Sequence, residues 1–180
     1  MKGNISLNLK TIKNSLLILS SSYLTLTALI SLFFITSILF SNLGIDFIAA
    51  ITLVVSTFVV LTTILINVRL ILNKRWFSQK YLLTNLVICI IQSVSFFSDG
   101  LNYKYIQGFE WVGYLHYDTI SGKWDSGAFF SKLVFEFVLN FKSAKGVMIG
   151  TNFITVLLSF YYYYLFKKIK TDQKTKTHEV

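Results

Sequence analysis

Proline is absent from the 180 residues, cysteine occurs once, and acidic residues number only eight. Each shortage excludes something. A single thiol, Cys89, rules out an intramolecular disulfide and any cysteine-based metal centre, and inside an apolar run it reads as a small packing hydrophobe. Charged residues make up 14% of the chain against about 25% in a soluble domain, so most of the surface is not built for water. No HExxH, CxxC or GxSxG occurs, and no cofactor, metal or catalytic residue set is expected.

What is present is apolar, at 54% of residues and a mean hydropathy of +0.62. The apolar residues fall in long runs at about 16–40, 47–66, 81–97 and 147–166. A helix crossing a bilayer needs about 20 such residues, so the runs predict an all-α integral membrane protein with four transmembrane helices. The third run is the shortest and carries Asn85 and Gln92. Lys2, Lys10 and Lys13 before the first run imitate a signal peptide, but the run exceeds the usual 7–15-residue signal core and predicts a retained helix.

The formal charge of +9 comes from basic residues that flank these runs, which points to topology and anionic lipid rather than nucleic acid. Basic segments precede the first run, follow the second (Arg69, Lys74, Arg75, Lys80, with Trp76 and Phe77 at headgroup level) and follow the fourth. Four spans would put all three on one side, with both termini in the cytoplasm of a cell-membrane protein. The tail 167–180, which holds His178, reads as disordered.

Residues 98–146 form the one neutral segment, expected outside the membrane. Trp111, Gly113, Leu115 and Tyr117 alternate with Glu110, His116 and Asp118, and Leu133, Phe135, Phe137, Leu139 and Phe141 alternate again. That period of two predicts a small antiparallel sheet, with turns at Gln107–Gly108 and Ser121–Gly122. An interfacial helix over 128–142 is the rival reading of the second stretch.

Within this segment Trp111, His116, Asp118 and Trp124 form a candidate outer interaction set. His116 and Asp118 share a strand face with Glu110 and could hold a metal or move a proton, though a solvated strand face is the plainer reading. Trp124, beside a turn, could anchor a partner or dip into the membrane interface. Gly146-x-x-x-Gly150 reads as a helix-packing pair opening the fourth span, and Asn85, Gln92 and Asn152 read as interhelical hydrogen-bonding groups.

None of the four runs contains an ionisable side chain other than Cys89 and tyrosines, and the first three lack glycine, which lowers the case for an ion-coupled transporter. The functional expectation is a non-enzymatic membrane protein acting through lipid or protein contacts, as an accessory, assembly or immunity-type factor. Membrane lipid is the expected partner, with a second protein or a second copy of the chain beside it. Permeation of a small solute and a membrane-embedded enzyme are the alternatives.

Overall fold

The computed structural model describes residues 2–41, 47–72, 79–98, 100–140 and 146–177. The chain order is α1 (Lys2–Phe40), α2 (Phe47–Leu72), α3 (Gln79–Ser93), β1 (Val94–Ser98), β2 (Leu101–Asp118), β3 (Lys123–Asn140), β4 (Gly146–Asn152) and α4 (Phe153–Thr177). This corrects the all-α, four-span expectation. Among the described residues two helices are long and apolar enough to cross a membrane, Ser15–Phe40 and Phe47–Leu72, each of 26 residues. The third and fourth apolar runs each divide between helix and strand. At 1.5 Å per residue α3 is about 22 Å long, and the apolar part of α4 up to Phe166 about 21 Å, short of a hydrocarbon core of about 30 Å.

Local chemistry accounts for both divisions. Ser93 turns its hydroxyl back to the Ile90 carbonyl at 2.7 Å, and the β-branched and aromatic run Val94-Ser95-Phe96-Phe97 continues as strand. At the other junction Asn152 caps α4, its Oδ1 accepting the Ile154 amide at 3.1 Å. Asn152 is therefore a cap and not the interhelical group the sequence suggested. Beyond Phe166, α4 continues as helix through Thr177, where a disordered tail was expected. Trp76, Phe77 and His178 lie outside the described residues.

The helices bury many polar side chains and expose many apolar ones. The buried stripe of α2 includes Ser56, Thr63 and Asn67, and α1 buries Ser20, Ser21, Thr27 and Ser31. Leu19, Leu26 and Phe33 of α1 and Val54, Phe58 and Leu65 of α2 face outward. Thr27, Ser31, Ser56 and Thr63 hydrogen-bond to carbonyls of their own helix, so an apolar setting leaves these hydroxyls satisfied. Leu17, Leu24, Leu82, Cys89, Tyr162 and Leu165 form one core between α1, α3 and α4, while Ala28, Ile35 and Val60 form a second, covered by Phe135 of β3.

Asn67 and Asn85 exchange amide hydrogen bonds of 3.1 and 2.8 Å between α2 and α3, as expected for Asn85. Asn67→Leu should cost about 1 kcal/mol, the usual scale for buried polar pairs between membrane helices. The pair variant Asn67→Leu/Asn85→Leu should cost no more than either single change, because no amide is then left alone. Thermal unfolding of the three variants in detergent checks this.

The sheet is antiparallel, in the order β1-β4-β2-β3 with a further β1–β2 pairing. Within the segment 98–146 the described residues Leu101–Asp118 and Lys123–Asn140 are strands, so strand replaces the rival helix as far as Asn140, while residues 99 and 141–145 lie outside the described residues. Asp118 closes the β2–β3 loop, accepting the Ile120 amide and the Ser121 hydroxyl at 2.8 and 2.7 Å, so the turn expected at Ser121–Gly122 is present. The turn expected at Gln107–Gly108 is instead a bend within β2.

Three pairings force that bend. Residues 101–104 of β2 run antiparallel to β1, residues 112–118 run antiparallel to β4, and β1 is itself antiparallel to β4. A straight β2 cannot satisfy all three. Gly150, buried on β4, makes the closure sterically feasible, since a Cβ there would collide with the Ser95 hydroxyl and approach Val112 Cγ1 at 3.2 Å. The proposed helix-packing pair Gly146 and Gly150 thus lies on a strand, where glycine serves strand-to-strand contact.

A candidate lipid-facing sheet and the ion triad behind it

At the bend, Gly108 has φ +113° and faces α1, where a Cβ would overlap the Tyr23 hydroxyl and meet Thr27 Cγ2 at 2.9 Å. The bend leaves backbone groups without a neighbouring strand, and side chains take over. The Phe109 amide donates to Tyr23 Oη at 3.0 Å, the Trp111 amide to Asn152 Oδ1 at 3.4 Å, and Asn152 Nδ2 to the Phe109 carbonyl at 3.4 Å. Tyr23 and Asn152 together fill the gap in the ladder.

The same bend brings Lys104 and Glu110 together. Six residues of straight strand span about 20 Å, farther than the two side chains can bridge. Here Lys104 Nζ lies 3.0 Å from Glu110 Oε1 and 2.6 Å from Glu136 Oε2. A bulge in β3 falls opposite Phe109 and Glu110, adding to the local curvature. Glu110 is only 3% exposed, and the Phe129 ring lies 6.0 Å from the ammonium. Burial draws the Lys104 pKa down, but hydrogen bonds and charge from Glu136 and Glu110 outweigh it and hold the ammonium above its ordinary value.

On the other side of β2, Tyr105 and Gln107 are buried and joined by a 2.8 Å hydrogen bond from the Tyr105 hydroxyl. Gln92 of α3 lies against that hydroxyl, and burial pushes the Tyr105 pKa up. β2 therefore carries polar groups inward on both faces at its bend. The sequence reading missed this site, because Lys104 and Glu110 looked like unrelated points on a strand.

Beyond the bend one sheet face is aromatic and open. Phe109, Trp111, Leu115, Trp124, Phe130 and Ile149 are all exposed, Trp124 the most among the tryptophans described at 66%. Phe109 stacks between Tyr23 of α1 and Phe130 of β3 with centroids 6.2 and 6.3 Å away, and Trp111 meets Phe153 edge-on at 5.4 Å. Trp124 packs on Tyr117 at 4.9 Å. Trp111 and Trp124, singled out from the sequence, are thus parts of one surface.

His116 and Asp118 lie on the opposite, polar face of the same strand. Hydrogen bonds from Ser121 and the Ile120 amide hold the Asp118 carboxyl below its ordinary value, with His116 adding a smaller effect. Glu110 pairs with Lys104 instead of joining them. Among the described residues no group of three or more His, Cys, Asp and Glu side chains could hold a metal ion.

Among the described residues the fold is a mixed helix-and-sheet arrangement with two helices long and apolar enough to cross a membrane, a four-stranded sheet and an ion triad at its bend. No protein-family model matches the chain, and no curated protein or solved structure is similar to it.

Proposed function

We propose that this is a multi-pass protein of the cell membrane that works through contacts and carries out no catalysis, with α1 and α2 crossing the bilayer. The observation that supports this most is the outer surface of the helices, which turn leucine, valine and phenylalanine outward while burying serine, threonine and asparagine beside Leu17, Leu24 and Val60. In water that arrangement would expose large contiguous apolar patches; in lipid it is the favourable one.

The aromatic sheet face belongs to the same lipid-contacting surface. β2 meets α1 at Tyr23 and Thr27, in the first half of Ser15–Phe40, so the rest of α1 rises about 20 Å beside the sheet. Trp111, Phe130 and Trp124 are exposed on this face, and tryptophan suits the interfacial layer. The triad charges face away from this surface, where the bend shields them. Lys2, Lys10 and Lys13, ahead of the apolar part of α1, and the basic residues at the end of α4 support a cytoplasmic location for both termini.

Trp124 also supports a second reading, a protein contact, because it stands at the hairpin end farthest from the helices beside an exposed loop.

Cysteine accessibility tests the topology. The single native thiol, Cys89, is buried, so background labelling is low. A cysteine at Ser41 should react with a membrane-impermeant maleimide in intact cells, and one at Gln79 only after permeabilisation. Equal reactivity of both from outside would sink the two-span reading.

A further inference from the structure

We propose that β3 pairs with β3 of a second copy of this chain, joining two sheets into one across a two-fold axis at Gly127. The inference rests on the membrane reading above. β1 pairs with β4 and β2, β4 pairs with β1 and β2, and β2 is flanked by β3 on one side and by β1 and β4 on the other. Among the described residues β3 is therefore the strand with an open edge.

The backbone groups that line this edge follow from β2. The Trp111 amide points to Asn152, on the β4 side. Backbone direction alternates along a strand, so Trp111, Gly113, Leu115 and Tyr117 all turn N–H and C=O away from β3. Their partners in β3 are Phe130, Ala128, Ser126 and Trp124, which likewise turn theirs to the open edge. Residues 123–130 are exposed apart from Gly127, which is half-buried. Water satisfies such an edge but lipid does not, and the aromatic face beside it is the one assigned to the membrane.

The spacing of these residues suits a copy of itself. A two-fold axis through Gly127 sets Trp124 opposite Phe130 of the second copy and Ser126 opposite Ala128, each pair occurring twice. Every outward group of these residues then has a partner, in about eight hydrogen bonds. Trp124 and Phe130 share one sheet face, so the same register makes aromatic cross-strand pairs. The aromatic surface continues through both copies and stays open to lipid. At the axis Gly127 meets Gly127 where Cα atoms approach to about 4.5 Å, and neither brings a side chain. Each copy has one open edge, so assembly stops at a dimer.

The test uses the full-length protein in native membranes. Two differently tagged copies, one carrying Ser126→Cys and the other Ala128→Cys, are coexpressed and oxidised. Opposed residues of a hydrogen-bonded pair lie about 5.5 Å apart, within disulfide reach. A disulfide joining the two tags is expected, in much higher yield than between copies carrying Phe58→Cys on the exposed face of α2. Ser126→Pro removes an outward amide at both related positions and leaves the β2–β3 ladder intact. It should weaken self-association in detergent, read by sedimentation, about 30-fold. Ala128→Glu, which brings carboxylates into the new ladder, should also weaken it, and Ala128→Thr should keep the dimer. A monomeric wild type, unchanged association in both disruptive variants, or a disulfide yield no higher than the Phe58→Cys control overturns the pairing. Crosslinking to a protein of another size in place of the second copy overturns it as well. Alkaline carbonate extraction separates the two levels. A crosslinked dimer that washes off membranes supports the pairing and contradicts the membrane reading, whereas a monomer that stays contradicts the pairing alone.

Discussion

Replacing Lys104 by methionine should lower stability by about 3–5 kcal/mol, the usual cost of removing one partner from a buried ion pair. For a chain of this size that is a fall in melting midpoint of about 6–20 °C. The reason is geometric. Lys104 is the cation between Glu110 and Glu136, at 3.0 and 2.6 Å, and without it two carboxylates face each other at a bend with Glu110 almost fully buried. Lys104→Met/Glu110→Leu/Glu136→Gln should recover much of the loss. The Lys104 pKa is raised on folding, so its stabilisation is complete below the ordinary lysine value and disappears as pH rises through the higher folded value. Melting midpoints of the variants at neutral pH, and of the wild type as pH rises into the alkaline range, measure both effects.

Gly108→Ala should be nearly as damaging, at about 3 kcal/mol or more, because two costs coincide. The backbone sits at φ +113°, where a Cβ is strained, and that Cβ would overlap the Tyr23 hydroxyl with Thr27 Cγ2 only 2.9 Å away. Tyr23→Phe alone should cost about 1 kcal/mol by freeing the Phe109 amide. Combined, the two changes should cost less than their sum, since removing the hydroxyl relieves the worst overlap. Denaturation of the four proteins gives this coupling directly.

The residues differ in how openly they announced these roles. The alternation from Glu110 to Asp118 and from Lys132 to Lys142 revealed strands because one sheet face is polar and the other greasy. Runs 81–97 and 147–166 hid their strands, since an apolar run bears no mark where helix gives way to strand. Only length and the β-branched and aromatic enrichment around Val94 and Phe96 hinted at the switch. Asn152 before Phe-Ile-Thr-Val could have been read as a helix cap, which would have moved the start of the last helix to its observed place. Gly108 was legible as a break, yet whether glycine marks a turn or a bend depends on which strands pair beyond it. The triad was invisible for the same reason: Lys104 and Glu110 meet only because β1 and β4 pull the two halves of β2 in different directions. Trp111 and Trp124 stood out by residue type, but their shared face depends on the β2–β3 register that pairs Tyr117 with Trp124 and Trp111 with Phe130.

The most direct test of a lipid-facing aromatic sheet is tryptophan quenching in vesicles whose lipids are brominated near the headgroup end of the acyl chains. Two proteins are needed, one retaining only Trp111 (Trp76→Phe/Trp124→Phe) and one retaining only Trp124 (Trp76→Phe/Trp111→Phe). Strong quenching of both, with blue-shifted emission, is the expected result. Quenching of Trp111 alone would assign the hairpin tip to a protein contact. Red-shifted emission from both, unaffected by bromine, would contradict the placement of this face in the membrane.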